Sequence, residues 1–175
     1  MKIIIAAVMS VNGKIASGDK TRVHDWSSPE DRKYFSALIK KSELVIMGRK
    51  TFLAARADMK LSTAIHRVVL TKKPAMYKKF EVPKQLEFTD ESPRTLMKRL
   101  EKYHRTAMLV GGTETNSTFL REKLIDELWL TVEPKIFGYG KGLFSEKNLN
   151  VGLQLRSMKQ LNKNGTLLLK YTVMK

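Results

Sequence analysis

Asp31 lies in a stretch of chain whose neighbours predict an apolar helix face. In WSSPEDRKYF, residues 26 to 35, Ser28 followed by Pro29 has the form of an N-cap and a first-turn proline, so the spacing predicts a helix from 29 through Lys41. At about 100° per residue, Tyr34, Phe35, Leu38 and Ile39 form one apolar stripe. Glu30, Arg32, Lys33, Lys40 and Lys41 fall outside it, whereas Asp31, one turn before Phe35, falls near its centre. A carboxylate so placed loses hydration, rises in pKa, and can polarise a bound heterocycle or pass a proton. The competing reading is structural: Asp31 completes a capping box begun by Ser28 and complements the helix dipole.

A second chemistry is carried by glycines. Two apolar runs end in glycine and lead into a helix, VIM-GRKT at 45 to 51 and MLV-GGTET at 108 to 115, and a third, RVVL, ends in Thr71-Lys72-Lys73. In an open α/β sheet, ligands bind beyond the carboxyl ends of the strands. There a missing side chain lets a ligand approach the backbone, and the unpaired N–H groups of a helix start attract phosphate. GGTETN is not G-x-G-x-x-G, and GRKT lacks the upstream glycine of a P-loop, so neither run is a standard fingerprint. Together with the lysine pair they are consistent with a pyrophosphate and an additional phosphate. Glu114, at a helix start, reads first as dipole compensation, since a carboxylate repels phosphate.

The elements that must hold these residues alternate. Residues 2 to 9, 44 to 47, 67 to 71, 107 to 110 and 128 to 133 read as strands, and 29 to 41, 92 to 103 and 114 to 123 as helices. LQLRSMKQL and TLLLKYTVM, separated by NKNG, read as a terminal hairpin. The expected architecture is a single α/β domain over 1 to 175, with a central mixed, mostly parallel sheet flanked by helices and a C-terminal antiparallel hairpin. Residues 54 to 64 and 72 to 85 read as surface connections. At 175 residues and 42% hydrophobic, the chain can build one substantial core but not comfortably two.

Composition excludes several classes. Without cysteine there are no disulfides and no cysteine-ligated zinc. His24, His66 and His104 are too far apart in sequence for a paired metal motif, so no metal is expected. KIIIAAVM is too short for a signal-peptide core with its flanks, and no run is long enough to span a bilayer, so a cytoplasmic protein is expected. Lys and Arg outnumber Asp and Glu 33 to 17, a formal charge of +16, which calls for an anionic ligand or nucleic acid. The cations are dispersed rather than gathered in a tract with interleaved aromatics, which argues against a nucleic-acid-binding module and leaves it as the non-enzyme alternative.

WSSPEDRKYF, VIMGRKTF, RVVLTKK, VGGTET and LWLTVEP, in this order and at these spacings, resemble the dihydrofolate reductase superfamily over residues 3 to about 144. That superfamily includes the dihydrofolate reductases and the riboflavin-pathway reductases of a pyrimidine ribosyl phosphate. SVNGKIA and LIDELWLTVEPKIFGYGKGLF look closer to the second branch; PEDRKYF and Thr131 look like the first. The resemblance implies that Asp31 holds the substrate's pyrimidine-like edge, supported by Thr131, with Trp26 and Phe35 walling the cleft and Ala7 and Val8 beside the substrate. It implies NADPH, with Ala7, Ile15 and Ala16 along the nicotinamide and Gly48, Arg49, Lys50 and Thr51 at the phosphates. Leu70, Thr71, Lys72 and Lys73 would meet the adenosine 2′-phosphate, and Val110, Gly111, Gly112, Thr113, Glu114 and Thr115 the pyrophosphate and nicotinamide ribose. Three departures stand out. The arginine that grips the folate glutamate tail aligns with Ile65, the tyrosine after the paired glycines is replaced near Asn116, and the acid of S-x-D-G is Asn12.

Both branches reduce a carbon–nitrogen double bond with hydride from nicotinamide. The resemblance thus implies an NADPH-dependent reductase, with 7,8-dihydrofolate, reduced to tetrahydrofolate, ahead of the pyrimidine ribosyl phosphate. The small-molecule substrate would be handled by a monomer or homodimer. A dinucleotide-binding protein without activity is the remaining alternative, since fold does not guarantee function.

Overall fold

The computed structural model describes residues 1–18, 23–145 and 149–174. The elements are β1 (Lys2–Ser10), α1 (Pro29–Lys40), β2 (Leu44–Gly48), α2 (Arg49–Ala55), β3 (His66–Leu70), β4 (Leu86–Thr89), α3 (Pro93–Leu100), β5 (Thr106–Leu109), α4 (Thr113–Arg121), β6 (Glu127–Glu133), β7 (Leu153–Gln160) and β8 (Leu167–Val173). Short 3-10 turns cover Val23–Asp25 and Pro74–Phe80. The strands form one eight-stranded sheet in the order β4-β3-β2-β5-β1-β6-β8-β7. All neighbouring pairs are parallel except β6–β8 and β8–β7. The mostly parallel α/β sheet with an antiparallel terminal hairpin matches the expectation from the sequence.

The alternation of side chains along each strand divides the core in two. On one face, Ile3, Ile5, Ile46, Leu109, Leu128 and Leu130 meet Leu96 and Leu100 of α3 and Phe119 and Leu120 of α4. On the other, Ile4, Ala6, Val45, Met47, Val69 and Met108 meet Phe52 of α2 and the stripe Phe35, Leu38 and Ile39 of α1. The predicted stripe of α1 therefore packs on the sheet, and Asp31, within it, is the helix's one buried residue. Ser28 caps α1, its side chain accepting from the Asp31 N–H at 3.2 Å. The reciprocal half of a capping box is not made by Asp31: the Ser28 N–H donates to Glu133 Oε1 at 2.7 Å instead.

Three details differ from the sequence reading. The connection over 72 to 85 contains the turn Pro74–Phe80 and leads into β4, a strand of four residues that joins the sheet's edge. Phe88 of β4 packs edge-on against Phe52, at 5.0 Å, and stacks on Tyr77, at 5.3 Å. α3 ends at Leu100 rather than Tyr103, whose ring is 75% exposed and has no core to join. In β7 every residue is exposed, and none joins a core cluster with a helix among the described residues.

Candidate functional site

The strand ends β2 and β5 meet where the chain order of the sheet reverses. The Gly48 N–H donates to the Gly111 carbonyl at 2.7 Å, and the Gly111–Gly112 peptide is cis. A Cβ on Gly48 would collide with Thr115 Oγ1, and Gly111 adopts φ +105°, so both positions require glycine. Gly48 and Gly112 are also the N-caps of α2 and α4, and neither helix start receives a side-chain cap. The first-turn N–H groups of two helices thus face one crevice without a side-chain acceptor.

Beside this junction lies a groove of about 600 Å³. Of the predicted cofactor residues it is lined by Arg49, Leu70, Thr71, Lys72, Lys73, Glu114 and Thr115. Lys72 and Lys73 are exposed, so their ammonium groups are available to an anion. Sequence reasoning missed Tyr77, whose ring forms the groove's wall while its hydroxyl accepts from Arg49 Nη1 at 3.3 Å. It also missed Met76, Thr89, Asp90, Glu91, Pro93, Thr118 and Phe119. The signal for Tyr77 was the aromatic pair of PAMYKKF following the lysines, inside a segment read only as a connection.

The remaining predicted residues sit outside the groove. Gly48, Thr51, Gly111 and Gly112 meet at the strand-end junction, where Thr51 Oγ1 lies 3.3 Å from where a Gly112 Cβ would be. Val110 joins the sheet, its N–H donating to the Ile46 carbonyl at 3.0 Å, and Lys50 is exposed. Thr113 is engaged structurally, its hydroxyl donating to the Gly142 carbonyl at 2.7 Å. Ile15 and the buried Ala16 lie in a loop that is zipped to 137 to 143 through Ile15 N–H to the Lys141 carbonyl and the bridge Lys14–Gly142. Ala7 faces the α3–α4 side of the sheet, whereas Val8, paired with Thr131, faces α1.

The candidate acid lies on that α1 side. Asp31 is 3% exposed, Thr131 2% and Trp26 6%, with Phe35 half-buried. Burial raises the Asp31 carboxyl above the ordinary carboxylate range, the polar groups of Thr131 and Ser27 pull it down, the charge of Glu133 pushes it up, and Arg32 lowers it. Burial, then the charge of Asp31, pushes the Tyr34 phenol up to about 12. Trp26 Nε1, Ser27 Oγ and the Tyr34 hydroxyl are buried with no hydrogen-bond partner among the described residues. Buried polar groups are nearly always satisfied, so a donor and two hydroxyls left open beside a buried carboxylate fit a polar heterocycle or its waters. Trp26 is braced by Phe137, edge-on at 5.1 Å.

Among the described residues no cluster of His, Asp or Glu could hold a metal ion, and no helix is long and apolar enough to cross a membrane.

The geometry has a counterpart among known sequences. The RibD C-terminal domain profile matches residues 1–167. The chain belongs to the RibD C-terminal domain family. A relative, the uncharacterised protein YwjB of Bacillus subtilis, is 27% identical over 169 residues that cover 91% of each chain. Among solved structures, a pyrimidine reductase-like protein from Corynebacterium diphtheriae superposes with a TM-score of 0.78 at 13% identity, over 99% of this chain and 92% of that one. Dihydrofolate reductase from Enterococcus faecalis, solved with NADP(H), gives 0.67 at 18% identity, over 99% and 97%. The fold is therefore dihydrofolate reductase-like.

Proposed function

We propose that the protein is an NADPH-dependent reductase of a carbon–nitrogen double bond, with a pyrimidine ribosyl phosphate as substrate ahead of dihydrofolate. This reverses the substrate order drawn from the sequence. The observation that supports a reductase of either substrate is the buried Asp31 and Thr131 beside open polar groups, set on the same sheet as a lysine-lined groove. Membership of the RibD C-terminal domain family favours the pyrimidine substrate. So does the fate of the folate-tail arginine: Ile65 is core, and the nearby Arg67 is buried, donating to the carbonyls of Ile65 and Lys60. Neither presents a guanidinium to a tail carboxylate.

NADPH fits the residues: glycines 48, 111 and 112 leave backbone approachable, and Lys72, Lys73 and Arg49 offer cations for phosphates. The bound coenzyme would supply hydride from the nicotinamide. Asp31 orients the substrate ring by accepting its N–H groups when ionised and, carrying a proton when protonated, delivers it toward the reduced nitrogen, directly or through water. Thr131 fixes the carboxyl's orientation. Trp26 and Phe35 exclude bulk water, which strengthens every charge interaction inside.

The dihydrofolate reading is favoured by one feature, the Asp31–Thr131 pair itself, and the two separate in one assay. Loss of NADPH absorbance is followed with each substrate offered alone. Turnover of the pyrimidine ribosyl phosphate is expected; turnover of dihydrofolate alone restores the original order, and turnover of neither removes the reductase assignment.

A further inference from the structure

Glu133 is a second buried carboxylate beside the candidate acid. It lies two residues after Thr131 on β6 and so points to the same face, 2% exposed. No Lys, Arg or His among the described residues forms an ion pair with it. Instead its two oxygens divide between distant segments. Oε1 accepts the backbone N–H of Ser28 at 2.7 Å, and Oε2 accepts the Thr166 hydroxyl at 2.9 Å. Ser28 is the residue whose side chain caps α1 through the Asp31 N–H. Two residues further on, Lys135 Nζ donates to the Trp26 carbonyl at 2.5 Å. An anion and a cation from one strand end thus grip an N–H and a C=O of the segment 26 to 28, from opposite polarity. The β7–β8 turn adds a brace from below: Asn162 Nδ2 donates to Thr166 Oγ1 at 2.9 Å and to Glu30 Oε2 at 3.1 Å.

A helix start secured only by its own cap frays readily. A charge buried without a counterion is costly and is retained where its partners are fixed hydrogen-bond donors. We infer that Glu133 is a positioning residue: by anchoring Ser28 it fixes where α1 begins and therefore where the Asp31 carboxyl and the Trp26 wall stand beneath the cleft. The inference rests on Asp31 being the proton-bearing group proposed above. It goes beyond a scaffold role, because Glu133 also acts on Asp31 through its charge.

The groups facing Asp31 are Thr131 and Glu133 from β6, Ser27 from the preceding segment, and Arg32 and Tyr34 from α1 itself. Of these, Glu133 and Arg32 act on Asp31 through charge, in opposite directions. Removing the negative charge of Glu133 therefore lets Asp31 release its proton at lower pH.

The test uses Glu133→Gln and Glu133→Asp in the full chain, with NADPH affinity by fluorescence as a control, since Glu133 lies outside the groove. Glu133→Gln keeps size, but its amide N–H₂ must face a Thr166 hydroxyl that already accepts from Asn162. The pH above which turnover declines is expected to fall, and so is the midpoint of the Asp31 ¹³Cγ titration by NMR, assigned with Asp31→Asn. Turnover at neutral pH should drop about tenfold to a hundredfold, the scale of a catalytic group displaced by roughly an ångström. Glu133→Asp keeps the charge but not the reach. It should hold the titration midpoint near wild type while turnover falls, and it stands in if the amide variant does not fold. A lowered melting temperature with an unmoved Asp31 midpoint in Glu133→Gln, or full turnover in Glu133→Asp, would overturn the inference. If the wild-type protein reduces neither substrate, the reductase reading has failed, and the NMR midpoint still decides whether Glu133 controls Asp31.

Discussion

β2 and β7 sit in the same sheet and have opposite surroundings. All five residues of LVIMG are buried, and all eight of LQLRSMKQ are exposed. The first is covered by helices on both faces and flanked by β3 and β5; the second is an edge that pairs only with β8. Apolar side chains alone do not make the difference. The register of β7 on β8, shifted between Leu155 and Ser157, puts Leu153, Leu155 and Met158 opposite Val173, Tyr171 and Leu169, on one face. That face continues the α3–α4 side of the core beyond the last helix. Coverage by helices separates core from surface here, and the hairpin meets the candidate site through its tip, Asn162 and Thr166, and through the buried Leu168 of β8, paired with Thr131. The covered half carries the groove and can be rigid; the uncovered half needs only one well-held end.

The sharpest contrast is between chemistry and scaffold at the junction of the halves. Asp31→Asn is expected to lower turnover about a hundredfold to ten-thousandfold, as for a general acid–base group, with NADPH affinity unchanged in a fluorescence titration. The same variant should gain stability with rising pH. Because the folded-state pKa of Asp31 is raised, the native protein holds that proton more tightly than the unfolded chain. Its contribution is fully present below the unfolded carboxylate pKa and is lost as pH rises through the folded value. The melting temperature of Asp31→Asn relative to wild type should therefore climb between acid and neutral pH; a difference constant with pH contradicts the raised pKa.

Next in size, Ile46→Ala in β2, at a fully buried position, should cost about 2–5 kcal/mol in chemical denaturation. Lys72→Ala with Lys73→Ala should weaken NADPH by about tenfold or more and leave NADH nearly unchanged, since charge-assisted hydrogen bonds to a phosphate contribute about 1.5–3 kcal/mol. Equal losses for both nucleotides would detach the lysines from the 2′-phosphate. The smallest effect belongs to the open half: Leu155→Ser, half-exposed on β7, should change stability by no more than about 0.5 kcal/mol. A cost near that of Ile46→Ala would show that β7 is covered in solution and would break the comparison.

The helix bearing Asp31 was readable because its signals are local: Ser28 and Pro29 start it and the 3.6-residue stripe continues it. The glycines at strand ends were readable for the same reason. β4 was not, because LEFT is four residues with only Leu86 and Phe88 buried, too short for a pattern to form. Tyr77 became part of the groove only through Phe88 and Arg49, which are brought to it by the sheet. Glu133 looked like the polar end of a strand. Its burial depends on Ser28, 105 positions earlier, and Thr166, 33 later, and no periodicity encodes such a meeting. The end of α3 was overread because Tyr103 extended an apolar pattern with nothing to pack against.

The order β6-β8-β7 has a consequence for how the chain is made. β8 lies between two strands that precede it in sequence, so during synthesis β6 waits with an open edge and β7 has no partner. Until residues 166 to 173 leave the ribosomal tunnel, Glu133 lacks its Thr166 donor and the hairpin tip cannot brace α1. The candidate acid is thus specified before β8 is made and braced only after it arrives. A nascent chain stalled before Thr166 should expose both edges to chaperones, and the arrival of β8 is the step that joins β6 to β7 and braces the site.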